Sequence, residues 1–271
     1  MQGFGPLLRT ILFVATLAGM GAGTVGAVLH LVSTVPLILK AEAYEEGAGA
    51  AAATAVHDHA GADAAGAQPH DHADAAGAHP HDSAEAAGHD HGAGAWEPTP
   101  GLQRNGLTLL FTLLTGFGFA LLLVAASELA GGLASWRQGI GWGLAGFAAF
   151  TLAPGLGLPP ELPAMPAAEL MDRQLWWSAT ALATAAGLAC LAFGPRPLHA
   201  ALGVLLIAAP HLVGAPQPAS YETAIPKGLH HSFVVASIVA SFVFWVLLGG
   251  LAGWLRPIVA RQQAEPAVRP A

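Results

Sequence analysis

The sequence predicts an all-α, polytopic transmembrane helix bundle interrupted by one long disordered His/Asp-rich loop. Three observations carry that prediction. Only 10% of residues are charged and 54% are hydrophobic, against about 25% charged in a soluble domain, so the surface cannot all face water. The apolar residues gather into runs long enough to cross a bilayer, and a segment in lipid must satisfy its own backbone, which leaves helices. One stretch is unlike the rest: residues 41–103 hold eleven acids, eight of the thirteen histidines and no Lys or Arg. That stretch carries −11 and the remainder +4, giving the net −7.

Residues 1–40 hold the first helix, its apolar run lying near Thr10–Val32. The run continues about 23 residues past Arg9 and ends on no small-residue cleavage site, so it reads as a retained helix and not as a cleaved signal. The loop, 41–103, follows. Residues 104–256 form the rest of the bundle, with runs near 107–130, 139–158, 175–193, 198–215 and 232–255, and 257–271 form a short tail. A 24-residue run reaches about 36 Å as a helix, enough for a ~30 Å hydrocarbon core. The third and fifth runs are marginal, being Gly-rich or ended by Pro154 and Pro210. The count is therefore six candidate spans, or five if a marginal one does not cross. Small residues recur within the runs, as in Gly139-Ile-Gly-Trp-Gly143 and Ala183-Thr-Ala-Ala-Gly187, a pattern that lets helices approach closely. Trp142, Trp176, Trp177 and Trp245 are expected to anchor or pack.

Six spans put both termini on one side. Arg9, Arg137, Arg196, Arg256, Arg261 and Arg269 fall there, against Lys40, Arg104, Arg173 and Lys227 opposite. The positive-inside preference then predicts an inner-membrane protein with cytoplasmic termini and an extracytoplasmic loop.

Four His-x-His pairs punctuate the loop: His57 with His59, His70 with His72, His79 with His81, and His89 with His91. All eight are candidate metal ligands. Imidazole is a favoured ligand for borderline divalent metals, and nearby carboxylates add oxygen donors and negative field. With an unperturbed pKa near 6.5, most of these rings are neutral at pH 7 and able to coordinate. Ala, Gly and acid between the pairs cannot build a packed core, so the empty loop is expected to be disordered. The Irving–Williams order favours copper, nickel and zinc over cobalt at such a site, and a flexible loop has no geometry with which to reverse it. Low-complexity drift among Ala, Gly, His and Asp is the bland alternative.

Ionisable groups near the apolar spans are the other candidates, because burying them in lipid is expensive. His211 follows Pro210 near the outer end of the fifth run and is the leading gate ligand. Glu42, Glu45 and Glu46 follow the first run and, with Glu161, would form an acidic vestibule. His30, Glu128 and His231 are further pathway candidates, and Leu158–Pro166 reads as a cap on the outer surface. A divalent cation moving inward gains about 4.6 kcal/mol per 100 mV, so uptake needs no nucleotide. Consistently, the chain has no GxxxxGK[ST] P-loop, no HExxH and no Glu-x-x-His. Cys190 alone excludes a Cys-based cluster. Nothing suggests an enzyme, an organic cofactor or a nucleic-acid partner; the expected partner is the bilayer.

Several strings resemble the cobalt transporter subunit CbtA family. They include Val35-Pro-Leu-Ile-Leu-Lys-Ala-Glu42-Ala-Tyr44-Glu45, Trp96-Glu-Pro, Gln103-Arg104 and Gly116-Phe-Gly-Phe-Ala-Leu-Leu-Leu. Further along come Trp142-Gly-Leu-Ala-Gly-Phe, Leu152-Ala-Pro-Gly-Leu-Gly-Leu-Pro-Pro-Glu161-Leu-Pro, Arg173-Gln-Leu-Trp-Trp, Pro210-His211-Leu-Val-Gly-Ala-Pro-Gln-Pro and Phe244-Trp245 through Gly253-Trp254-Leu. The resemblance spans nearly the whole chain except the loop. It implies a cobalt(2+) importer of about five spans, in cobalamin-using bacteria, working with a small single-span companion that bears its own His-rich tail. It transfers no ligand set. Nickel or zinc as cargo, metal efflux, and a non-transporting metal buffer are the alternatives.

Overall fold

The computed structural model describes residues 4–44, 99 and 101–264. Every regular element among them is helical. Six helices follow one another: α1 (Gly5–Tyr44), α2 (Leu102–Leu129), α3 (Trp136–Gly157), α4 (Leu170–Phe193), α5 (Pro197–Val213) and α6 (Lys227–Ala264). All but α5 are long and apolar enough to cross a membrane. At 17 residues, α5 reaches about 26 Å. It packs back along α4 from the Gly194 turn, so the chain reverses direction at every connection.

α1 is longer than the sequence suggested. Its helix continues past Pro36 to Tyr44 and carries Glu42 with it. Pro36 lacks the N–H that would bond the Val32 carbonyl, and its ring crowds that carbonyl. The helix adjusts by widening into a π-turn, His30–Thr34, just before the proline. α3 repeats the device: the π-turn Ala148–Leu152 stands immediately before Pro154.

The helices pack in the spatial order α2, α1, α6, α3, α4, α5. Close backbone approach at glycines sets the crossings. A Cβ on Gly139 of α3 would land on the Gly249 carbonyl of α6, and one on Gly249 would land on Gly139. Gly19 meets Gly116 and Phe117 where α1 crosses α2, and Gly187 meets Gly203 where α4 crosses α5. Gly21-Ala-Gly-Thr-Val-Gly26 has the letters of a dinucleotide-binding turn but lies mid-helix in α1. Gly249→Ala should cost about 1–3 kcal/mol through overpacking, read as a lower thermal midpoint in detergent. Gly141→Ala, with open space around its Cβ position, should leave the midpoint unchanged.

Val14, Ala18, Ala120, Val124, Leu248 and Ala252 make a core with almost no exposure. Large apolar residues face outward instead: Phe111 and Leu114 on α2, Leu182 on α4, Leu205 on α5 and Val239 on α6. Such a surface is stable only against lipid. At the loop end of the bundle, where α1 stops and α2 starts, Ala41, Leu162, Ile225 and Phe233 form a second cluster. It fastens the connection 158–169 over that end, in the position where the sequence suggested a cap.

Candidate functional site

Ion pairs mark the two ends of the bundle. At the loop end, Arg104 at the start of α2 forks both its terminal nitrogens onto the Glu42 carboxylate, one contact at 3.2 Å. Nearby, Arg173 Nη2 of α4 meets Glu161 Oε2 at 2.8 Å. At the opposite end, Arg256 of α6 donates from Nε and Nη2 to Glu128 of α2 at 2.8 and 2.9 Å.

These pairs change the reading of the acids. Glu42 and Glu161 were expected to line an acidic vestibule, and each is paired with an arginine. Glu128 was a pathway candidate, yet it is a bidentate partner tying α2 to α6. Charge pairing of this kind is what makes a carboxylate tolerable at the edge of lipid.

Histidines fare differently from one another. His211 of α5 lies edge-on to Trp176, with centroids 5.9 Å apart, and Trp176 Nε1–H donates to the Pro210 carbonyl at 3.2 Å. It lines none of the three main cavities of the bundle. The His230 ring hydrogen-bonds the Pro160 carbonyl through Nε2 at 3.1 Å, fastening the cap. Its neighbour His231 is exposed. His30 occupies the first position of the α1 π-turn and is half-buried within the bundle. Among the described residues, no three His, Cys, Asp or Glu side chains converge on one point. The loop candidates His57, His59, His70, His72, His79, His81, His89 and His91 lie outside the described residues, as do Glu45 and Glu46.

The three cavities run from one end to the other. The first, about 630 Å³, opens at the loop end beneath Pro159, Pro160, Glu161 and Arg173 and runs down past Gln174, Ser178, Ser237 and Ser241. The second, about 180 Å³, lies at His30 with Thr112, Thr115, Thr151 and Ser241 around it. The two share Phe150, Thr151 and Ser241 in their walls, so they are neighbours in the bundle. The third, about 990 Å³ and mostly apolar, opens between α2, α3 and α4 toward the other end. Phe119, Phe150 and Trp245 line both the second and the third.

Sequence reasoning placed His30 among the candidates but missed the hydroxyl residues and the three rings, which read as ordinary packing. The available signal was the prolines, each standing two residues beyond a π-turn: Pro36 after the turn that opens with His30, and Pro154 after the turn that holds Phe150 and Thr151.

A bundle of long apolar helices that turn large apolar residues outward defines a multi-pass membrane protein. The family model described as "Probable cobalt transporter subunit (CbtA)" matches residues 8–256, and the chain belongs to that family. No curated protein and no solved structure matches the chain significantly. The family is one of transporter subunits and not of enzymes.

Proposed function

We propose that this chain is the membrane subunit of a bacterial inner-membrane cobalt(2+) importer. Its His/Asp-rich loop captures ions on the extracytoplasmic side and delivers them to the cleft at the loop end. Within each His-x-His pair both rings are donors, so His59, His72, His81 and His91 complete the sites that His57, His70, His79 and His89 begin. The observation that carries this reading is positional: the cleft holding Glu161, Arg173, Gln174 and Ser178 opens at the end where α1 stops and α2 starts, which is where residues 45–98 leave and rejoin the bundle. Ions held on the loop stay near that mouth at roughly mM effective concentration. The loop's negative charge concentrates cations there and the membrane potential draws them inward. A small single-span His-rich companion completes the transporter. Glu42 and Glu46 flank the loop's point of departure, with Glu46 able to hand ions from the loop histidines toward Glu161. His211 and His231 sit near the mouth as secondary ligands.

Uptake of radioactive cobalt in a strain lacking its own cobalt importers tests the direction. Expression of this chain with its companion should raise uptake and cobalt sensitivity; lowered accumulation and resistance would make it an exporter. Removing residues 57–91 should raise the cobalt concentration for half-maximal uptake about tenfold, as loss of a tethered reservoir requires, while the rate at saturating cobalt is kept. Unchanged uptake at low cobalt would remove the capture role.

A further inference from the structure

Both contacts of the Thr34 hydroxyl can be satisfied in only one way. Thr34 Oγ1 stands 3.0 Å from the His30 carbonyl and 3.0 Å from His30 Nδ1. A hydroxyl has one proton, and a carbonyl can only accept. The Thr34 proton therefore goes to the carbonyl, and Nδ1–H donates to Oγ1. In the neutral ring that leaves the lone pair on Nε2, the arrangement seen when a second residue orients a metal-ligating imidazole. The π-turn makes this possible: the same His30 carbonyl also accepts the Val35 N–H, which keeps the turn wide and Thr34 under the ring.

The cavity that His30 lines supplies the rest. At about 180 Å³ it has room for on the order of six waters, so an ion keeps most of its hydration shell. Thr112, Thr115, Thr151 and Ser241 share its wall with Phe119, Phe150, Phe244 and Trp245, so hydroxyls interrupt a largely aromatic lining. The Thr112 hydroxyl spends its proton on the Thr108 carbonyl, leaving oxygen lone pairs for a water or a cation. Below it, three rings pack against one another: Phe119 to Phe150 at 5.2 Å, Phe119 to Trp245 at 4.9 Å, and Phe150 stacked on Trp245 at 5.7 Å. They lie between this cavity and the apolar one beyond.

We propose that the His30 cavity is a transit site for a single, largely hydrated divalent cation, with His30 Nε2 as its one nitrogen ligand and Phe119, Phe150 and Trp245 as the plug beneath it. This rests on the transport reading and adds its central stop. One nitrogen among waters and hydroxyls binds weakly, which is what conduction requires, since a site must release what it admits. The plug explains how an open upper cleft coexists with a sealed membrane. Phe150 stands in the second π-turn, so shifting that turn moves a ring of the plug.

The test uses the full chain with its eight loop histidines changed to Gln, which silences the loop. Purified in detergent and dialysed against radioactive cobalt at saturating concentration, it should bind one cobalt per chain, and His30→Ala should abolish that binding. Thr34→Val should weaken binding about tenfold, because the tautomer is no longer held. In liposomes, Phe150→Ala should make the unsubstituted chain leak Co(II) and Mg²⁺. Cobalt binding unaffected by His30→Ala overturns the site even if the wild type transports, and vesicles that stay sealed with Phe150→Ala overturn the plug. Intact His30-dependent binding in a chain that moves no cobalt supports the site and overturns the transport reading instead.

Discussion

Glu128→Ala is expected to be the most damaging single substitution at the end of the bundle opposite the loop. The carboxylate side chain is 10% exposed and the Arg256 side chain 23%, and the two meet through two parallel hydrogen bonds. Planar guanidinium and carboxylate match in this geometry, so little freedom is lost per bond. Truncating Glu128 leaves a guanidinium with no counter-charge at the edge of an apolar core, which costs about 3 kcal/mol or more. Among the described residues Glu128 is the one carboxylate paired with Arg256, and Gly132 packs so closely on the guanidinium that a Cβ there would collide with it. Thermal unfolding in detergent should show a large drop for Glu128→Ala and for Arg256→Met. The double variant Glu128→Leu with Arg256→Met should recover most of it, because an apolar pair of similar volume often replaces a buried ion pair without loss. A wild-type midpoint for Glu128→Ala would mean that the carboxylate is not structural and would return it to the pathway.

The contrast between Glu128 and His30 shows what a sequence can and cannot disclose here. Apolar runs are set by composition along the chain, so α2, α3, α4 and α5 were legible to within about five residues, whereas α1 and α6 run on past their apolar stretches to Tyr44 and Ala264, the latter into the stretch expected to be a tail. The glycines of Gly139-Ile-Gly-Trp-Gly143 announced a close crossing, and the structure supplies the partner, Gly249 of α6. Partnership across the bundle is another matter. Nothing local says that Glu128 faces a residue 128 positions away, that Arg104 reaches back over 62 positions to Glu42, or that Arg173 neutralises Glu161. Read singly, Glu42 and Glu161 looked like a vestibule and Glu128 like part of a pathway; read in pairs, Glu42 and Glu128 join helices. His211 was expected as a gate because a proline precedes it; the structure sets it edge-on to Trp176, outside the lining of the three cavities described. Pro36 and Pro154 were more informative, and the reason is geometric: only there does the helix widen into a π-turn facing a shared space.

Opposite effects are expected from breaking the Glu161–Arg173 pair on its two sides. The pair sits in the mouth of the first cavity, with side chains 22% and 31% exposed, so each charge is felt by an ion entering there. As it stands the mouth is neutral. Glu161→Gln leaves Arg173 alone and presents a positive charge to a divalent cation. At about 6 Å in a water-like medium that repulsion is roughly 1.4 kcal/mol, or about tenfold in local concentration. Arg173→Gln leaves Glu161 alone and attracts the ion by a similar amount. Initial uptake at low cobalt should therefore fall about tenfold for Glu161→Gln and rise severalfold for Arg173→Gln. Both differences should shrink as ionic strength is raised, because an exposed mouth is screened. At saturating cobalt the three proteins should converge, since the mouth governs arrival and not passage. If both substitutions lower uptake alike and salt does not matter, the pair acts by holding the cap on α4, and the ion enters elsewhere.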